Sequence, residues 1–206
     1  MTVAASLRQA LVDARESGEL LESLSFDHVD AKALDLSELT CRQLLFQACR
    51  FSGCDFGGTA LYDCAFVNCQ FTDCRFPVSY WKSCHLTGCK ADGGDFRRGR
   101  FKNCALQECL LRYTNFINTV WERCDLSSCD LTESSLAECR LNKTTLQSVD
   151  LTGAELFRTS FKGVDLSSCT LDRVSLSETC AELRGAKLHA SQAAVVARIL
   201  GIEITP

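Results

Sequence analysis

The side chains in this 206-residue chain that could do chemistry are fifteen cysteines and three histidines. Paired thiols would staple a secreted domain. Thiols and imidazoles converging at short spacing would hold zinc, and a thiol beside an imidazole would make a nucleophile. The spacing argues against all three. From Cys49 to Cys169 thirteen of the thiols fall at one phase of a five-residue period, so they line up in parallel rows instead of converging. His28, His85 and His189 sit in unrelated contexts, and no Ser/His/Asp or Cys/His pairing can be traced. Gly57-Gly58 and Gly93-Gly94 lack the Lys-Ser/Thr that follows in a phosphate-binding loop. No basic segment followed by an apolar run opens the chain, and no run approaches the roughly 18 apolar residues of a membrane span. The expectation is a protein that is not an enzyme, with no cofactor or metal, in the cytoplasm with reduced thiols, and without membrane contact. A net charge of −4 argues against a broadly basic nucleic-acid binder, so no direct nucleic-acid contact is expected.

The elements that place the cysteines come from a repeat of five. Stepping by five from Phe26 to Leu176 gives 11 Phe, 15 Leu, Trp81, Trp121, Ala31, Ala91 and Cys41, so 28 of 31 positions are large and apolar. The phase two residues earlier, from Leu24 to Val174, holds Cys, Thr, Ser, Gly, Ala and Val, with Leu near its start. Neither phase contains a charge. For a chain that is 23% charged, the chance of that is on the order of 10⁻⁷. Five fits neither a helix nor plain strand alternation. Residues two apart on extended backbone point the same way, so the small and the large residue face inward along an edge and the other pair turns a corner. Repeated edges and corners wind a coil, and stacked coils pair their backbones.

Cys54-Asp55-Phe56, Cys124-Asp125-Leu126, Cys129-Asp130-Leu131, Val149-Asp150-Leu151 and Val164-Asp165-Leu166 carry a resemblance to the pentapeptide-repeat proteins, whose pattern is A-[D/N]-L-x-x. That resemblance implies an all-β solenoid, a right-handed quadrilateral β-helix with four five-residue edges per coil, here spanning residues 21–189. At 20 residues per coil, Leu61, Trp81, Phe101, Trp121, Leu141 and Phe161 stack as the bulkiest column. Cys49, Cys69, Cys89, Cys109 and Cys129 stack as a small one, where a free thiol serves as a compact hydrophobe.

The ends differ from the repeat. Ala4, Leu7, Leu11 and Ala14, with Gly18 as a stop, predict a capping helix within residues 1–20. A membrane-surface helix is disfavoured by Asp13, Glu16, Glu19 and Glu22. After Thr179-Cys180 the phase slips by two, to Leu183 and Leu188, which expands the last coil. Residues 190–206 predict a helix over 192–200 capped by Ser191 and closed by Gly201, with apolar residues on more than one side. The run Leu183-Arg184-Gly185-Ala186-Lys187-Leu188, then Gln192-Ala193 and Leu200-Gly201-Ile202, resembles the C-terminus of the Qnr, MfpA and albicidin-resistance group of topoisomerase-protecting proteins. The resemblance implies a homodimer through Val195, Val196, Ile199, Leu200, Ile202 and Ile204. It also implies a rod similar to duplex DNA that binds DNA gyrase or topoisomerase IV and gives resistance to topoisomerase poisons. The register runs unbroken from Phe26 to Leu176, which is closer to the loop-free MfpA-like members. The alternative is a scaffold for another cytosolic protein.

Charge varies along the chain: −6 over residues 1–74, +5 over 75–123 and −4 over 124–184. In a tail-to-tail dimer, Asp125, Asp130, Asp150 and Asp165 become the candidate gyrase contact. Asp before a repeat centre is also part of the pattern itself and can satisfy corner backbone groups instead. Arg97, Arg98, Arg100 and Lys102 form a basic belt near mid-rod, read as a solvated surface or as a contact for an acidic partner.

Overall fold

The computed structural model describes residues 2–3, 6–18 and 20–203. The inward positions build a parallel β-solenoid with four faces, as the repeat and the resemblance predict. Face 1 stacks Leu21, Cys41, Leu61, Trp81, Phe101, Trp121 and Leu141 in a seven-stranded sheet. Face 2 stacks Phe26 through Leu146 in an eight-stranded sheet, whose outermost strand is Thr2–Val3 paired with Leu24 and Ser25. Face 3 has three strands, Asp30–Lys32, Arg50–Ser52 and Gln70–Thr72, and then single bridges from Lys90 to Thr170. Face 4 is single bridges throughout, from Asp35 to Ser175. Between the first and last pairings register is 20 residues on every face, and N–H groups such as Ala65 donate to the coil below (Leu44 O, 2.8 Å).

Each corner except that at Ser168 is turned by one residue in the left-handed region, two after the inward centre. From Ser23 to Arg173 these residues have φ between about +49° and +81° and include Gly, Asn, Asp and also Val78 (φ 60°) and Tyr113 (φ 58°). For a β-branched residue this conformation costs about 1–2 kcal/mol, so packing of the coil overrides local preference at Val78.

Corners come in two forms, and the small inward residue that follows differs between them. After a three-residue strand the corner is open, and the next inward residue is usually Cys, as at Cys54, Cys64 and Cys74. Its thiol donates weakly to carbonyls, as Cys64 does to Tyr62 O at 3.3 Å. After a single bridge the corner is a tight turn closed by an N–H donating to the centre three residues back, as Thr119 N does to Phe116 O (3.0 Å). Ser, Thr, Gly or Ala usually follows, with Leu39, Cys139, Cys169 and Val174 as exceptions. The reason is space. A Cβ added at Gly94 would lie 2.9 Å from Phe96 Cε2, and one at Gly99 would lie 2.9 Å from Phe96 O. A hydroxyl fits because it bonds that same carbonyl, as Ser79 Oγ does to Phe76 O (2.6 Å).

Two of these hydroxyls also satisfy the buried indoles. Trp81 Nε1 donates to Ser79 Oγ (2.8 Å) and Trp121 Nε1 to Thr119 Oγ1 (2.9 Å). Rings stack along each face, with centroids 5.1 and 5.0 Å apart along Phe26, Phe46 and Phe66, and 4.1 Å apart for Phe101 and Trp121.

Helix α1 (Leu7–Ser17) begins at Ser6, whose Oγ accepts from Gln9 N, and stops at Gly18 (φ 69°). Leu7, Leu11 and Ala14 are buried against the first coil, and Arg15 reaches Asp35 O and the Asp35 carboxylate. The expected helix positions Ala4 and Glu19 lie outside the described residues. At the other end the register widens from 20 to 22, with Asp165 pairing with Lys187, as the phase slip predicts. Helix α2 (Ala193–Ile199) ends at Leu200-Gly201, and Ile202 N donates to Ala197 O. Ser191 is not its cap. A 3₁₀ turn over Ala190–Gln192 precedes it, and His189 Nδ1 accepts from Ser191 N while Gln192 Oε1 accepts from His189 N.

Glu182 is a buried carboxylate in the expanded coil. Burial would raise its pKa, but hydrogen bonds from its own N–H, the Ser177 hydroxyl and the N–H groups of Arg158 and Ser177 outweigh this and hold it below the ordinary 4.5.

Two outcomes follow for stability. Thr119→Val strands the Trp121 indole N–H and lowers unfolding free energy by roughly 1–3 kcal/mol, whereas Thr119→Ser retains most of it; urea denaturation measures both. Because the Glu182 pKa is depressed on folding, its stabilisation is complete above the ordinary value of 4.5 and is lost as pH falls through the folded pKa. Melting temperature therefore drops on acidification, and drops less in Glu182→Gln.

Candidate functional site

The thiols are enclosed. All fifteen are buried and unpaired by disulfides, and the described residues contain no group of three or more His, Cys, Asp or Glu able to hold a metal. Burial, with the nearby Cys64 adding to it, pushes the Cys41 thiol up to about 12, far from the thiolate a nucleophile needs. Between Phe116, Trp121, Leu141 and Phe161 the core leaves a void of about 10 Å³, too small for a ligand. Recognition therefore falls to the outward positions, the residue before each centre and the two after it.

The four predicted acidic residues fall on two neighbouring faces. Asp130 and Asp150 are neighbours on successive coils at the start of face 3, beside its edge with face 2, while Asp125 and Asp165 begin face 2 itself, two coils apart. Three of the four are also used in the backbone frame. Asp130 Oδ1 accepts from Thr132 N (3.0 Å) and its hydroxyl (2.6 Å), and Asp150 Oδ1 accepts from Thr152 N (2.9 Å). Asp165 Oδ1 accepts from the Ser167 hydroxyl and N–H, which hold its carboxyl below the usual range, the hydroxyl first. Asp125 begins a strand instead of a tight turn, so its Oδ1 accepts from the Thr145 hydroxyl one coil on. The corner role is thus present at Asp130, Asp150 and Asp165, and one carboxylate oxygen of each accounts for it.

Charge sorts by face more sharply than by segment. Face 2 has no Lys or Arg at any outward position from Ser25 to Ser168, and carries Asp27, Glu108, Asp125 and Asp165. Face 3 has five basic against seven acidic residues, and face 4 has four against seven. Face 1 is the reverse: Arg42, Lys82, Arg100, Lys102, Arg123, Arg140, Lys143 and Lys162 outnumber Glu22, Asp63 and Glu122. The basic belt accordingly separates. Arg97 and Arg98 lie on face 4, where Arg97 grips Asp95 (2.7 Å), while Arg100 and Lys102 join a lengthwise stripe on face 1. Counting by contiguous segment hides that stripe; reading every twentieth residue reveals it.

At the C-terminus, α2 has no fully buried residue. Val195, Val196 and Ile199 are half-buried, and Ile199 packs on the core. Leu200 and Ile202 are 46% and 54% exposed, and an open cleft of about 490 Å³ lies beside Asp172, Arg173, Val195 and Ile199. Ile204 lies outside the described residues. Gln192 anchors the helix start, its Nε2 donating to Leu166 O (2.9 Å) and Cys169 O (2.6 Å). Among the described residues no helix is long and apolar enough to cross a membrane.

Similar folds occur in solved structures. A trypsin-treated form of QnrB1, a plasmid-mediated fluoroquinolone resistance protein, is 20% identical over 90% of this chain and 99% of its own (TM-score 0.38). HetL, involved in heterocyst differentiation regulation in the cyanobacterium Nostoc, is 14% identical over 91% and 98% (TM-score 0.33). A protein of the Arabidopsis thaliana thylakoid lumen is 20% identical over 50% and 65% (TM-score 0.38). No curated protein matches the sequence. The sequence pattern of pentapeptide repeats matches in eight copies, over residues 41–76, 100–142, 124–163, 134–173 and 150–192, and the chain belongs to the pentapeptide-repeat family.

Proposed function

We propose that this chain is a non-catalytic binding rod that pairs tail to tail through α2 and presents an acidic edge to the DNA-binding surface of a bacterial type II topoisomerase, DNA gyrase or topoisomerase IV, countering its poisons. The observation that carries this reading is the placement of Asp130 and Asp150 on successive coils at the edge of face 2, which carries Asp125 and Asp165 and has no Lys or Arg at its outward positions from Ser25 to Ser168. Eight rungs at strand spacing span roughly 35–40 Å, and a two-fold pairing would bring two such edges into one longer acidic zone. The half-exposed apolar residues of α2 support the pairing, since a second copy of the same helix is a self-complementary cover for them. The basic face 1 favours a second reading, a scaffold for a different protein, because duplex DNA has no cationic side.

Purified protein at micromolar concentration is expected to alter gyrase supercoiling and poison-stabilised DNA cleavage; no effect on either contradicts the proposal. Asn115 already makes the corner bond, accepting from Ile117 N at 3.1 Å, so Asn at 130 and 150 removes charge without removing the corner. Asp130→Asn with Asp150→Asn is therefore expected to weaken gyrase binding roughly tenfold at unchanged melting temperature. For the pairing, sedimentation of the intact protein should give a dimer mass and Val196→Glu with Leu200→Glu a monomer mass. A monomeric intact protein contradicts it.

A further inference from the structure

We propose that face 1 is a docking surface for an acidic protein segment, a role that stands whether or not the topoisomerase reading holds. Most cations elsewhere on the rod are neutralised locally. Lys32 pairs with Asp30, Arg75 with Asp55, Arg97 with Asp95, Arg112 with Asp92, Arg158 with Glu138 and Arg173 with Glu133, while Arg50, Lys90, Arg98, Arg184 and Lys187 are exceptions. On face 1, Lys82, Arg100, Arg140, Lys143 and Lys162 are exposed and have no carboxylate partner among the described residues. Lys82, Arg100 and Arg140 stand on the face 1 sheet, Lys143 at the corner after its last strand and Lys162 one coil on, so the five span five coils, about 19 Å at strand spacing. The backbone groups of the sheet are already paired along it, so a partner must be recognised through side chains.

The pattern within the stripe selects the partner. Glu122 sits at its middle, 3.4 Å from Lys102 and 2.8 Å from Arg123, and offsets one of their two charges. Val120 stands between Arg100 and Arg140 in the same column. The face is thus two cationic clusters separated by a less charged, partly apolar centre. A segment with carboxylates on either side of an apolar residue matches that arrangement. A nucleic acid matches it less well. Its unbroken phosphates would meet Glu122, and its high linear charge would meet faces 2, 3 and 4, each net acidic.

The probe is a fluorescein-labelled ten-residue peptide with two pairs of glutamates flanking a leucine, followed by anisotropy at low salt. Binding is expected, weakening at least tenfold on raising salt from about 50 to about 500 mM. Arg100→Thr with Arg140→Thr is expected to weaken it roughly tenfold. Thr40 occupies the same column, so the coil accepts the change. Lys143→Gln with Lys162→Gln should act alike. Arg50→Thr with Lys90→Thr, which removes two unpaired cations from face 3, should leave binding unchanged. No binding at about 1 mM peptide overturns the proposal, as does an equal loss in the face 3 control. Tighter binding of a 20-nucleotide oligo-dT that is lost in the same face 1 variants assigns the stripe to nucleic acid and overturns it too.

Discussion

Each coil must close in twenty residues so that its backbone meets the coils above and below in register. Side chains two apart can face inward only if the next residues turn sharply enough to start a new edge, and a left-handed residue two after the centre makes that turn at every corner from Ser23 to Arg173 except Ser168. Once closure is fixed, the interior becomes a set of columns. A large residue stacks on large residues, as Phe76 does on Phe56 and Phe96 with centroids 4.7 and 4.5 Å apart, and a small one sits on small ones beside them. Val78 holds a conformation that its own side chain disfavours because many parallel backbone bonds outweigh about 1–2 kcal/mol of local strain.

The same constraint decides what the sequence can reveal. Period five, the inward phases and the cysteine columns were legible because closure repeats them at every coil, and repetition makes a weak preference countable. Single events were harder to see. The strand Thr2–Val3 pairs with Leu24 and Ser25 on face 2 outside the five-residue pattern, and Glu182 is buried where the last coil widens around Ser177 and Arg158. His189 takes the capping place expected for Ser191, since its ring nitrogen reaches the Ser191 N–H. The two corner forms did have a signal, Cys after open corners and Ser, Thr, Gly or Ala after tight ones, but it is readable only once the space beside Phe96 O is known.

The surface shows the complementary limit. Asp130 and Asp150 match the repeat pattern because a carboxylate oxygen organises the tight turn, so their presence alone does not mark a contact. Their placement beside a face without Lys or Arg is the additional information, and it depends on the twenty-residue register. The stripe on face 1 emerges in the same way: Arg100, Arg140 and Val120 are distant in sequence and successive in space. A fold that uses its interior only for packing leaves its outward columns free to vary, so recognition here is written as charge on faces and as apolar cover at the ends.

Everything above requires the fifteen cysteines to be reduced rungs of the core and not staples, ligands or nucleophiles. Counting thiols by mass after alkylation, in the folded protein and in denaturant without reductant, tests this most directly. Almost no labelling in the folded state and all fifteen sites labelled in denaturant is the predicted result. Fewer than fifteen in denaturant, or rapid labelling of the folded protein, would contradict it.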